Sequence, residues 1–134
     1  MSVTLTDQDK LTLRTAAYGA VTLLSAADAT GSPHRVATDG SIALASATGL
    51  VGHVLAEKSK LKLTGKSVAE IADYVLPALS AATSLLKKQD PAEADNFRRT
   101  VIVAVEAATR AHTGEPGPTM AEMTRKIIEA LDAA

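Results

Sequence analysis

The chain of 134 residues has no cysteine and few aromatic residues, and both absences exclude classes of protein. Without cysteine there is no disulfide framework, no thiolate nucleophile and no cysteine-ligated zinc site. Only Tyr18, Tyr74 and Phe97 are aromatic, which is unlike an ordinary β-sandwich or barrel. The chain instead has 26 alanines, the residue of highest helix propensity, and this composition predicts an all-α protein.

A strong charge of one sign is also missing. The net charge is −1, and the basic cluster is confined to Lys58, Lys60, Lys62 and Lys66. Proteins that bind nucleic acids or membrane surfaces usually carry a basic excess, so we expect neither as a partner. The first ten residues lack the apolar stretch of a secretory signal. These features predict a cytoplasmic protein that forms a single all-helical domain over residues 1–134, long enough to bury a core.

The seventeen residues from Gly40 to Ala56 contain no Asp, Glu, Lys or Arg. A helix that is apolar on every side has to be covered on every side. The run therefore predicts a helix over about 39–58, placed at the centre of the bundle or in a subunit interface.

Small residues recur along this predicted helix at steps of three and four: Ser41, Ala45, Gly49, Gly52 and Ala56. Such a line lets another backbone approach closely. It favours tight packing within the chain, and a seam between two copies of a homodimer is the alternative.

Capping signals and apolar periodicity predict four more helices, so the expected fold is a compact bundle of about five. The predicted helices span about 7–27, 67 onward through Pro77, 91–112, and 119 to near the C terminus. Three Ser/Thr residues stand three positions before an acidic residue, as in a capping box: Thr6, Ser67 and Thr119. Asp90-Pro91 combines a cap with proline at the first helical position. Pro77 is expected to kink its helix and not to break it.

Three segments read as connections because they contain Gly, Pro, Ser and Thr clusters. They are 28–39, with Thr30-Gly31-Ser32-Pro33, then 59–66, ending at Thr64-Gly65, and 113–118. Pro33 also suits the opening of one short helical turn.

Gly65-Lys66-Ser67 resembles the end of a phosphate-binding loop. The full motif needs a glycine five residues before Gly65, where this chain has Lys60, and it needs a preceding strand, where a helix end is predicted. We therefore expect a basic linker that leads into a capped helix, and no bound nucleotide.

His53 and Glu57 are four residues apart, so both can face one metal ion from the same helix. The other histidines are His34, in a predicted loop, and His112, at a predicted helix end. Because no third ligand accompanies the pair, we predict no metal site.

Acid–base catalysis needs a carboxylate or histidine whose pKa is tuned by its surroundings. Asp73 beside Tyr74, and Glu106 near Arg99 and Arg110, are the candidates on predicted helices. The spacing of the second set is typical of a solvated ion-pair face. We therefore predict no catalytic, cofactor-binding or metal-binding residue.

The leading functional hypothesis is a non-catalytic module for protein interaction or oligomerisation, with a second copy or another protein as partner. One alternative is a small-ligand binder with an apolar pocket between helices, beside Pro77 and with Tyr74 or His53 as polar group. A second alternative is an enzyme of unrecognised type.

Overall fold

The computed structural model describes residues 5–28, 33–57, 67–111 and 117–133, and these ranges contain six α-helices and no strand. The helices are α1 (Asp7–Ala27), α2 (Pro33–Ala45), α3 (Gly49–Ala56), α4 (Val68–Gln89), α5 (Pro91–Ala111) and α6 (Pro118–Asp132). The predicted all-α class is confirmed. The described ranges have six helices instead of about five because the predicted second helix is divided into two, α2 and α3.

α1 and α5 each pack against all five of the other described helices, and α1 is the more deeply buried of the two, so α1 is the central helix of the bundle. Leu13, Leu23 and Leu24 are fully buried along it, and small residues such as Gly19 let neighbours approach closely. A β-carbon placed on Gly19 would lie 2.7 Å from Cγ2 of Val75 on α4. The prediction that residues 39–58 form the central helix is therefore wrong.

The predicted helix over 39–58 is interrupted between Ala45 and Gly49. Gly49 has φ of +70°, a left-handed conformation that glycine adopts at little cost. Side chains of α5 stabilise the break: the N–H of Val51 donates to Oε1 of Glu93 (3.2 Å), and Nδ2 of Asn96 donates to the carbonyl of Thr48 (2.9 Å). The N terminus of α3 thus receives its acceptor from α5 and not from a local cap.

α2 begins at Pro33, well before the predicted start, so Pro33 opens a whole helix and not a single turn. Val36, Gly40 and Leu44 face inward and are buried. A β-carbon on Gly40 would lie 2.8 Å from Cγ1 of Val21, which shows how closely α2 approaches α1. The opposite side of α2 is exposed, so the expectation that this segment is covered on every side is wrong.

The helices with strong local start signals begin where the sequence predicts. Oγ1 of Thr6 accepts from the N–H of Asp9 (3.0 Å), while Oδ2 of Asp9 accepts from the N–H of Thr6 (3.2 Å). Oγ of Ser67 accepts from the N–H of Glu70 (3.2 Å). α4 then continues without interruption through the exposed Pro77.

The two C-terminal helices bury the predicted apolar stripes. Phe97, Val101 and Ala108 of α5 are fully buried, and the largely β-branched run from Val101 to Val105 lies within this helix. α6 begins at Pro118 with Gly117 as N-cap, so the predicted capping box at Thr119 is wrong. Proline has no N–H to leave unsatisfied, and its φ suits the first helical position. The helix therefore begins one residue closer to the N terminus than predicted.

Candidate interaction surface

The two large apolar side chains most exposed among the described residues lie on neighbouring helices. Ile42 of α2 is 64% exposed and Val103 of α5 is 47% exposed. Four small uncharged residues line grooves with Ile42: Thr38, Ser41 and Ala45 on α2, and Ala107 on α5. We call these six residues the α2–α5 face.

The helical repeat explains why α2 presents these residues outward. Val36, Gly40 and Leu44, four residues apart, bind α2 to the core, and 3.6 residues per turn then place Thr38, Ile42 and Ala45 on the opposite side. The uncharged run found in the sequence therefore forms the surface of the bundle here. Full burial of an isoleucine contributes about 1.5–3 kcal/mol, and the fold leaves most of that contribution unused at Ile42.

Charged residues border the α2–α5 face in two grooves. Arg35, Asp39 and Arg110 share a groove with Ile42 at the N-terminal end of α2. Arg99 lines a second groove with Ser46 and Val103 at the other end. α2 and α5 thus run antiparallel along this surface, and each of its two exposed apolar side chains shares a groove with charged residues.

The predicted line of small residues does not form one continuous seam. Ala45, Gly49 and Ala56 are exposed, but the break after Ala45 divides them between two helices. Gly52 has a different role, because a β-carbon there would lie 2.2 Å from the carbonyl oxygen of Ala47. Only the α2 part of the line, around Ser41 and Ala45, belongs to the α2–α5 face.

Glu57 occupies a small polar cluster that joins the end of α3 to α1. Nη1 of Arg14, a residue only 8% exposed, donates to Oε2 of Glu57 at 3.0 Å. Nζ of Lys10 lies 3.7 Å and Nε2 of His53 lies 4.0 Å from Oε1 of the same carboxylate. Two permanent cations beside Glu57 disfavour a metal ion at the predicted pair. The cluster therefore links the end of α3 to α1 through ion pairs.

Tyr18 adds a neutral contact to the same junction. Its hydroxyl donates to the carbonyl of Leu55 (2.9 Å), and burial raises the pKa of the phenol above its usual value. Within the described ranges, no three His, Asp or Glu side chains are grouped as a metal site would need. The side chain of His34 and all of His112 lie outside the described residues.

The candidates for acid–base chemistry are not brought together. Asp73 is exposed on α4 next to Tyr74, whose pKa is raised by burial. Arg99, Glu106 and Arg110 are exposed along α5, and no ion pair within 4.0 Å joins them in the part of the chain that is described.

Arg98 of α5 forms an ion pair that sequence reasoning missed. Its Nε donates to Oδ1 of Asp132 on α6 at 2.8 Å, and this bond lowers the pKa of Asp132 below its usual value. The two residues are far apart in sequence, so spacing along one helix gives no signal for the pair. Gly65 and Lys66 of the supposed phosphate loop lie outside the described residues, while Ser67 caps α4.

A second surface feature is a groove of about 360 Å³ between α5 and α6. Ile102, Val105 and Ile128 supply most of its apolar wall, and the exposed Glu106 and Arg110 add charge. The hydroxyls of its two threonines donate to carbonyls of their own helices, Thr109 to Val105 (2.8 Å) and Thr124 to Met120 (2.9 Å). The inner wall therefore has few hydrogen-bond donors left for a ligand.

No protein family, curated protein or solved structure matches the chain. The described residues therefore define the protein by its structure alone, as an all-α bundle packed around α1. None of the described helices is both long and apolar enough to cross a membrane.

Proposed function

We propose that the protein is a non-catalytic interaction module that binds a protein partner through the α2–α5 face. The observation that carries the proposal is the exposed Ile42, on the outward side of a helix whose other side is packed, together with the exposed Val103 on the neighbouring helix α5. Single exposed apolar residues are common, but contiguous apolar patches with polar edges are typical of binding surfaces.

The composition of the α2–α5 face supports this role. Interfaces place apolar residues at the centre and polar residues at the rim, with arginine enriched. Here Ile42 shares a groove with Arg35, Asp39 and Arg110, and Val103 shares one with Arg99. A partner that covers Ile42 gains the burial energy that the fold itself does not use.

The proposal is tested by comparing Ile42→Glu with Ala81→Glu as baits. Ala81 is exposed on α4, away from the α2–α5 face, so its variant adds the same charge to a helix surface elsewhere. Tagged protein is incubated with a lysate of its own cells, bound proteins are identified by mass spectrometry, and each is purified for a direct binding measurement. We expect a partner, which includes a second copy of the chain, that binds the parent and Ala81→Glu but not Ile42→Glu. Equal binding by all three baits would contradict the assignment of this face.

A small-ligand binder is the second candidate, and the groove between α5 and α6 favours it. Its volume falls within the range of ligand sites, and its walls are mostly apolar. Anilinonaphthalene sulfonate is a suitable probe because its rings match the walls and its sulfonate matches Arg110. Saturable one-to-one binding that Ile128→Glu abolishes and the exposed control Ala121→Glu retains would support this candidate. Binding that both variants retain would reject it.

A further inference from the structure

We infer that α3 lies in a binding groove for a partner helix, and that an amphipathic helix with the same pattern of side chains displaces it there. The surface concerned is the part of α1 and α5 beneath α3, which we call the α3 groove. Its polar residues are Lys10, Arg14 and Tyr18 on α1, with Glu93 and Asn96 on α5. This site goes beyond the proposed function, because it does not depend on the α2–α5 face.

The apolar contacts of α3 lie on one side of the helix. Val51, Val54 and Leu55, at positions i, i+3 and i+4, are 1%, 0% and 2% exposed. His53 and Ala56, on the other side, are exposed. An amphipathic helix bound in a hydrophobic groove uses the same spacing for its anchoring side chains. α3 therefore contacts the bundle as such a bound helix does.

The α3 groove also supplies hydrogen-bond partners for both ends of the helix. At the N-terminal end, Oε1 of Glu93 accepts from the N–H of Val51 (3.2 Å), whereas the side chain of Thr48, the N-cap residue, makes no capping hydrogen bond. At the C-terminal end, the hydroxyl of Tyr18 donates to the carbonyl of Leu55 (2.9 Å). These positions match the unsatisfied backbone groups and the dipole of any helix that lies in this direction.

Arg14 adds a requirement for an acidic residue just beyond the helix. Arg14 is only 8% exposed, and its Nη1 donates to Oε2 of Glu57 at 3.0 Å. Its Nε has no hydrogen-bond partner within the described part of the chain. Departure of Glu57 leaves a largely buried cation without its counter-charge, which is unfavourable. A replacement helix therefore needs a carboxylate six residues after its first apolar anchor, as Glu57 follows Val51.

α3 is a weak occupant of its own groove. It has eight residues, whereas isolated helices shorter than about 12–15 residues are marginal in water. Gly49 and Gly52 lower its helix propensity further. Its advantage is the covalent connection, which for short flexible linkers corresponds to an effective concentration on the order of millimolar. A longer helix of better propensity loses less conformational entropy on binding and can compete.

The test weakens α3 in the full-length chain and offers the groove a free helix segment. The probe is a fluorescein-labelled peptide with the sequence of residues 48–57, amidated at its C terminus. Val54→Asn removes a buried anchor, and His53→Asn places the same side chain on the exposed side of α3 as the control. Fluorescence anisotropy should show about tenfold or tighter binding to Val54→Asn than to the parent or His53→Asn, because the intact α3 competes as a tethered ligand.

Two further measurements locate the peptide in the α3 groove. A peptide with Glu57→Gln should bind Val54→Asn several-fold more weakly, because an amide does not neutralise Arg14. In isotopically labelled Val54→Asn, the unmodified peptide should return the amide chemical shifts of Tyr18 and Glu93 towards their values in the parent.

Three results would overturn the inference. No binding to a Val54→Asn variant that keeps its circular dichroism would mean that the vacated groove does not accept a helix. Equal binding to the parent and to Val54→Asn would place the peptide elsewhere. Loss of most helix in Val54→Asn would mean that α3 does not separate from the bundle. Hydrogen exchange of the parent decides this last point without a variant, since the amide of Leu55 should exchange through local opening.

Discussion

Gly52 is required because backbone atoms lie close to it, and not because it packs in the hydrophobic core. Its missing β-carbon would lie 2.2 Å from the carbonyl oxygen of Ala47 and 2.6 Å from the carbonyl carbon. A carbonyl of the chain cannot rotate aside as the tip of a long side chain can. The turn between α2 and α3 therefore depends on glycine at this position.

Substitution of Gly52 by leucine is expected to destabilise the fold by about 1–3 kcal/mol, the usual cost of forcing atoms into occupied space. Ala56→Leu is the matched control, because Ala56 is exposed one turn later on the same helix. Chemical denaturation of both variants measures the difference. Equal stability of Gly52→Leu and the parent would show that the turn rearranges freely around the new side chain.

At the scale of single residues, the sequence predicted the interior better than the surface. Leu13, Phe97 and Ile127 are buried as their helical spacing indicates. The prediction is wrong at Ile42. A run without charges predicts a helix covered on all sides, whereas the outward half of this run is solvent-exposed. Hydropathy reports how apolar a segment is, but it does not report whether neighbouring helices are available to cover it.

Among the elements, α3 depends most on a distant part of the chain. Glu93 of α5 accepts from the N–H of Val51 in the first turn of α3, where the helix dipole also favours a negative charge. Loss of a capping side chain typically costs about 0.5–2 kcal/mol. We therefore expect Glu93→Ala to weaken α3 selectively.

Hydrogen exchange measures that effect at the right place. In Glu93→Ala the amide of Val51 should exchange faster than in the parent, while the amides of α4 remain unchanged. Glu106→Ala is the control, because Glu106 is exposed on the same helix. Identical exchange of Val51 in the two variants would mean that the carboxylate of Glu93 does not hold this helix end.

The start of α3 illustrates which element boundaries a sequence reveals. α1 and α4 begin at Thr6 and Ser67, whose partners lie three residues away, so local spacing suffices. The start of α3 needs Glu93, which is 42 residues from Val51. One local signal was nevertheless present: Thr48-Gly49 repeats the Thr-Gly pair that marks the predicted connections at Thr30, Thr64 and Thr113.

For the molecule as a whole, the contacts of α1 with every other described helix predict how the bundle opens. An element held by all its neighbours exchanges its amides only when the whole structure unfolds, whereas peripheral elements open locally. The amides of Ala17 and Ala20 should therefore show the full free energy of unfolding in native-state hydrogen exchange. Amides of α3, which is short and lies at one side of the bundle, should show less. Equal protection of α1 and α3 would contradict the central position of α1.

The position of the α2–α5 face was only half predictable at this scale. Ser41, Ile42 and Ala45 belong to the uncharged run in the sequence, so the α2 part of the face can be recognised from the sequence. Val103 and Ala107 complete the surface from another helix, and nothing in the sequence gives the rotation of α5 about its axis relative to α2. A surface built from two helices becomes apparent only after they are packed.

The long-range cap of α3 also sets an order of events during synthesis. A helix of eight residues is too short to be stable alone, so the segment Gly49–Ala56 has to wait for its partner on α5. Glu93 is 42 residues later than Val51 in the chain, and a ribosome adding about 5–20 residues per second needs about 2–8 s to reach it. During that interval Val51, Val54 and Leu55, which end up buried, emerge into water without a settled helix. This stretch of the nascent chain is where a chaperone has both the time and the apolar surface to bind.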